Sequence, residues 1–142
     1  MPTIRKKDLS PAVLAKLMEH APVKKGGRGV RREPGVMNKL ESRYATHLGN
    51  LKSCGGILDW KFDAVKLRLA EKCFYTADFF VVMPDMTIEF HEVKGQKKKK
   101  NGEAGFYAED DAIVKIKVAA ALYPFSFKYV FLSNGAWVSQ QV

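Results

Sequence analysis

The chain has 142 residues, 46% hydrophobic and 11% aromatic, which is enough apolar material for one buried core and excludes a wholly disordered chain. Its 24 Lys and Arg against 15 Asp and Glu leave a formal charge of +9, which points to a polyanionic partner, most simply a nucleic acid. No apolar stretch reaches the roughly 18 residues of a membrane span, no apolar run follows the basic start to make a signal peptide, and Cys54 and Cys73 alone make neither a disulfide framework nor a zinc site; the expected setting is the reducing cytoplasm.

The charge is uneven. Residues 1–35 carry nine Lys and Arg against Asp8, Glu19 and Glu33, a net +6, so residues 36–142 carry only +3. Ser10-Pro11 is a helix-start signal, and a short helix is expected over about 11–20. The stretch Lys24–Gly35, with Arg31 and Arg32 near its end, is glycine-rich and self-repelling, hence a linker. Residues 1–35 thus read as a basic arm, either a nucleic-acid arm or a solubilising tail.

From Met37 the pattern becomes that of an ordered domain. Met37, Leu40, Tyr44, Leu48 and Leu51 recur at helical steps and predict an amphipathic helix over about 38–50, ended near Gly49-Asn50. Gly55-Gly56 is a turn, and Ile57–Phe62 and Val65–Leu69 alternate as strands do. Phe74–Val82 is apolar on both faces, the mark of one central strand. Thr87–Lys94 alternates strictly, with Ile88 and Phe90 on one face and Glu89 and His91 on the other. Gly95–Gly105 reads as a loop, Ala108–Leu122 as a helix with carboxylates in its first turn, stopped by Pro124, and Phe125–Leu132 as a last strand. Ile113, Ile116, Ala120 and Tyr123 would face the core. Residues 36–133 form the expected domain and 134–142 a weak tail. The class is α/β, a central mixed sheet of about four or five strands flanked by helices, in the order αβββ(β)αβ.

One polar residue interrupts the apolar central strand: Asp78. A carboxylate there is costly unless paired or metal-bound. On the next strand Glu92 and Lys94 stand two apart and share a face. A two-residue turn would set Asp78 against His91. A three-residue loop, Pro84-Asp85-Met86, pairs Met83 with Thr87 and sets Asp78 opposite Glu92 and Lys94 opposite Thr76. The alternation favours the second register, because it also places Phe80 and Val82 beside Phe90 and Ile88. Opposed Cβ atoms lie about 5 Å apart, so two carboxylates there repel unless a cation sits between them. Hard oxygen ligands suit Mg²⁺ or Mn²⁺, and Lys94 could hold a water or neutralise a phosphate. His91 is expected at the surface of the other face.

Asp78 followed by Glu92-Val93-Lys94 resembles the motif of the PD-(D/E)XK nuclease superfamily. The segments Asn38–Ala45, Tyr75-Thr-Ala-Asp-Phe79, Glu92-Val-Lys-Gly95 and the helix holding Lys115 and Lys117 resemble small phage nucleases described as Holliday-junction-resolvase-like (the DUF1064 family), over about Met37 to Ser133. The literal Pro84-Asp85 pair falls in the hairpin turn, so the resemblance assigns the metal aspartate to Asp78. It implies a restriction-endonuclease-like core and a metal-dependent DNA endonuclease selective for branched DNA. Asp78, Glu92 and the Val93 carbonyl would hold metal, and Lys94 would serve the attacking water. Glu41 would complete the site, although Asn38 and Glu41 also fit a capping box. The resemblance further implies a homodimer, since junction resolution needs two sites, and a host-cell cytoplasm if the chain is phage-encoded. Lys97, Lys98, Lys99 and Lys100 are expected to grip DNA backbone, with Gln96, Lys115, Arg31 and Arg32 as further contacts. The alternative is a non-catalytic basic nucleic-acid-binding protein; a third reading keeps the fold and cuts RNA.

Overall fold

A computed structural model describes residues 33–106 and 110–142. Its first helix, α1 (Lys39–Ser53), starts where Asn38 accepts the Glu41 N–H and Glu41 returns a carboxylate oxygen to the Asn38 N–H, both at 2.9 Å. That is the capping box. The helix does not stop at Gly49-Asn50 but runs one turn further. There Gly55, at φ +80°, donates to the Lys52 carbonyl and Gly56 to the Leu51 carbonyl. These paired bonds close the helix end, and the positive φ explains the glycine.

Strands β1 (Asp59–Phe62), β2 (Lys66–Ala70), β3 (Cys73–Thr76), β4 (Phe79–Val82) and β5 (Ile88–Val93) follow. After them come the short β6 (Gln96–Lys98) and β7 (Ala104–Phe106), helix α2 (Asp110–Leu122), and β8 (Ser126–Ser133) and β9 (Ala136–Gln141). The central sheet has five strands in the order β1-β4-β5-β8-β9. Only β5 and β8 run parallel, joined through α2; the other neighbours are antiparallel. The molecule is therefore α/β with a mixed sheet, as its pattern predicts.

Four expectations change. Phe74–Val82 is two strands, not one: β3 pairs with β2 outside the main sheet and β4 pairs with β5. The chain changes sheet at Ala77-Asp78, where the pairing passes from β2 to β1 and β5. Thr76 consequently pairs with Lys66 and not with Lys94. The Gly95–Gly105 loop contains the small β6–β7 hairpin. Residues 134–142 are no tail, because β9 pairs along most of β8 and seats Trp137 beside Tyr44, with ring centroids 4.7 Å apart.

The two sheet faces bury different clusters. Tyr44 and Leu48 of α1 pack on Phe79, Val81, Val93 and Val130. Ile116 and Ala119 of α2 pack on Phe90, Phe127 and Tyr129, with Leu67 and Tyr75 from the β2–β3 hairpin. The strict alternation of β5 explains the division, since successive side chains enter opposite layers. Tyr123, at the end of α2, also ties the helix to β2 by donating to the Arg68 carbonyl at 2.7 Å.

Candidate functional site

The β4–β5 register is the one that a three-residue loop requires. Phe79 pairs with His91, Phe80 with Phe90 and Val82 with Ile88. The Met83 N–H donates to the Thr87 carbonyl, closing the loop. Met86 takes φ +68° and Asp85 accepts from both the backbone and the hydroxyl of Thr87, which confines Asp85 to shaping the turn. One step beyond the Phe79–His91 pair, Asp78 stands across from Glu92.

Asp78 is 8% exposed. Its Oδ2 accepts the buried Val93 N–H at 2.8 Å, and its carbonyl accepts the Asp63 N–H. The carboxylate thus continues the β4–β5 ladder by one bond where the backbone of β4 has ended. Glu92 accepts from the Lys94 ammonium at 3.0 Å on one oxygen and from the Tyr75 hydroxyl at 2.9 Å on the other. The Glu92–Lys94 pair is mostly shielded from water, with side-chain exposures of 13% and 15%. Burial, followed by the Glu92 charge, pushes the Tyr75 phenol far above its ordinary value, so it stays a donor. Tyr129 lies beside Glu92 across the β5–β8 ladder and is raised by the same two causes.

This set fits a hard divalent cation in kind: oxygen donors from two carboxylates, with Cys54 exposed at the helix end and Cys73 on the edge hairpin. It is not closed in number, because no group of three or more His, Cys, Asp or Glu among the described residues is placed to hold a metal. Glu41 is 2% exposed on the sheet-facing side of α1 and spends one oxygen in the capping box. The structure therefore brings together Asp78, Val93, Glu92 and Lys94, with Glu41 buried on the helix above the opposite layer.

The expected DNA contacts divide. Gln96, Lys97, Lys99 and Lys100 are exposed along the β6–β7 hairpin, which begins two residues after Lys94; Lys98 ends β6. Lys99 reaches Glu103 at 3.8 Å. Lys115 pairs with Asp111 at 3.2 Å on the surface of α2, which gives Asp111 the role of a helix-start charge. Arg31, Arg32 and the 11–20 helix lie outside the described residues.

His91 corrects another expectation. It does lie on the face opposite Glu92, but it is buried, 7% exposed, and not at the surface. Its Nδ1 meets the Tyr44 hydroxyl at 2.6 Å and its Nε2 meets Glu89 at 2.8 Å, while Lys128 holds the other Glu89 oxygen at 2.7 Å. Hydrogen bonding from His91, then from Lys128, holds the Glu89 carboxyl down at about 2 against the penalty of burial. Glu89 can then only accept, so His91 turns a protonated Nε2 toward it. A cavity of about 170 Å³ opens beside Tyr44, His91, Lys128 and Trp137. Neither this network nor the roles of Tyr75 and Tyr129 can be read from the sequence. Each depends on which strands, hairpin and helix come to lie around β5, and local pattern does not contain that.

No family model, no curated protein and no solved structure matches the chain.

Proposed function

We propose that this protein is a metal-dependent endonuclease that hydrolyses DNA phosphodiester bonds, with a restriction-endonuclease-like core of the PD-(D/E)XK kind and selectivity for branched DNA. One observation carries the reading: a buried aspartate stands across from a glutamate that a lysine two residues on neutralises, at the mouth of a lysine-rich hairpin.

In this reading Asp78, Glu92 and the Val93 carbonyl hold Mg²⁺ or Mn²⁺, and Glu41, on the opposite layer, serves the helix cap in place of the metal role that the resemblance implies. The cation supplies Lewis acidity toward the phosphate and makes a bound water more acidic. Lys94 holds the attacking water and offsets the charge of the phosphate. The water oxygen bonds to phosphorus, the bond to the leaving sugar oxygen breaks, and a proton passes to that oxygen. Gln96 and Lys97–Lys100 hold the backbone without reading bases, assisted by Lys115 and by Arg31 and Arg32 of the arm. Resolution of a four-way junction calls for two such sites, hence a homodimer.

A second reading has its own support. Both carboxylates are already satisfied by protein donors, and no third acidic ligand joins them among the described residues. That suits a non-catalytic nucleic-acid binder. Incubation of linear, nicked, fork and four-way-junction DNA, and of RNA, with Mg²⁺, Mn²⁺ or EDTA separates the readings. The nuclease cuts DNA with metal and not with EDTA. Salt-dependent binding without cleavage under any of these conditions would favour the binder, and cleavage of RNA alone would change the substrate class.

A further inference from the structure

Tyr129 carries the one buried side-chain polar atom without a hydrogen-bond partner among the described residues, its hydroxyl oxygen. The residue is 5% exposed. A buried donor left unmade is costly, and such groups in folded proteins commonly serve an ordered water or a reacting group. Its position makes the hydroxyl informative. Tyr129 is the register partner of Glu92 and shares its face of the sheet. It stands close enough for Glu92 to raise it electrostatically and for it to raise Tyr75 in turn. Of the two phenols flanking Glu92, Tyr75 spends its proton on the carboxylate and Tyr129 does not. A Phe106 ring 4.6 Å away, on the hairpin that carries the lysine run, covers the Tyr129 ring. Apolar packing would be served equally by phenylalanine there, so the hydroxyl has no packing reason to exist.

We propose that Tyr129 is a positioning residue that holds a water against Glu92 and Lys94, and that this water is the one used in hydrolysis. The inference rests on the nuclease reading. A buried water needs two to four polar partners; the Tyr129 hydroxyl, the Glu92 carboxylate and the Lys94 ammonium together supply a donor, an acceptor and a charge. The phenol hydroxyl orients a water by donating to one lone pair. The remaining lone pair is left to attack phosphorus, and a water proton is left facing Glu92.

The test uses the full chain, with Tyr129→Phe as the variant and Asp78→Asn as the non-cutting control. The Phe variant should keep its melting temperature or gain a little, since it loses an unsatisfied buried group. It should bind junction DNA in EDTA as the wild type does. Its single-turnover rate with Mg²⁺ should fall by about tenfold to a hundredfold, the scale of a misplaced reacting group, with the DNA concentration for half-maximal rate unchanged. A high-resolution crystal structure should show an ordered oxygen within hydrogen-bond distance of both the Tyr129 hydroxyl and Glu92. Equal rates for variant and wild type, or a Tyr129 hydroxyl bonded to a protein atom in the crystal, overturn the role of Tyr129 alone. A wild type that cuts no DNA overturns the nuclease reading, and the catalytic role of the water with it.

Discussion

Asp78 has two tasks, and substitutions can separate them. As an acceptor for the buried Val93 N–H it joins the ends of β4 and β5; as a charge it belongs to the proposed metal site. Asp78→Asn keeps an acceptor and removes the charge. It should cost little in urea denaturation yet abolish cleavage with DNA binding intact. Asp78→Ala also strands a buried N–H and should lose a further ~1–3 kcal/mol. If Asp78→Asn cuts at the wild-type rate, the aspartate is only a structural cap. Glu89 supplies a prediction on the opposite face. Its carboxyl is held near 2 in the fold, below its ordinary 4.5. Its stabilising contribution is therefore complete above about pH 4.5 and is lost as the pH falls toward 2. Urea midpoints measured across that interval should fall less steeply for Glu89→Gln than for the wild type.

At the level of elements, the β6–β7 hairpin and β9 make separable claims. If the lysines of the hairpin hold backbone phosphates, replacing Lys97–Lys100 with glutamine should weaken all DNA sequences alike. The dependence of log affinity on log salt should shallow by about 0.9 for each phosphate no longer neutralised. An unchanged slope would make the run a solvated surface. Strand β9 stabilises by closing the sheet edge and by placing Trp137 against Tyr44 and His47. Trp137→Ala should destabilise in urea or thermal melts toward the lower end of the ~3–5 kcal/mol typical of large aromatic deletions, since the indole is only half-buried. Elements with strong periodicity are legible in the sequence. Helix α1 shows its stripe and its cap, and β5 its alternation. The β3–β4 break is not, because Phe74–Val82 carries apolar residues on both faces and a change of strand partner leaves no periodic trace. Strand β9, Ala136–Gln141, escapes for a different reason: an exposed edge strand whose apolar residues are adjacent, followed by Ser139-Gln140-Gln141, shows no alternation.

Across the whole molecule, charge and topology are readable to different depths. The +9 and its concentration in residues 1–35 come from counting and need no fold. The hairpin register is also within reach, because alternation and loop length allow few solutions and a one-residue slip would turn Phe90 away from its layer. That register places Asp78 across from Glu92, so the heart of the candidate site is present in local sequence. What lies around it is not. Tyr129 reaches Glu92, and Lys128 reaches Glu89, only because β8 lies parallel to β5 after the chain has passed through α2. Tyr75 reaches Glu92 only because the β2–β3 hairpin folds over that face. Sequence by itself determined the class, the hairpin and the facing carboxylates, since each follows from short-range periodicity and turn geometry. The tertiary structure alone decided which tyrosine each glutamate meets and that His91 is buried, because these contacts join residues far apart in the chain and no local pattern records which strands become neighbours.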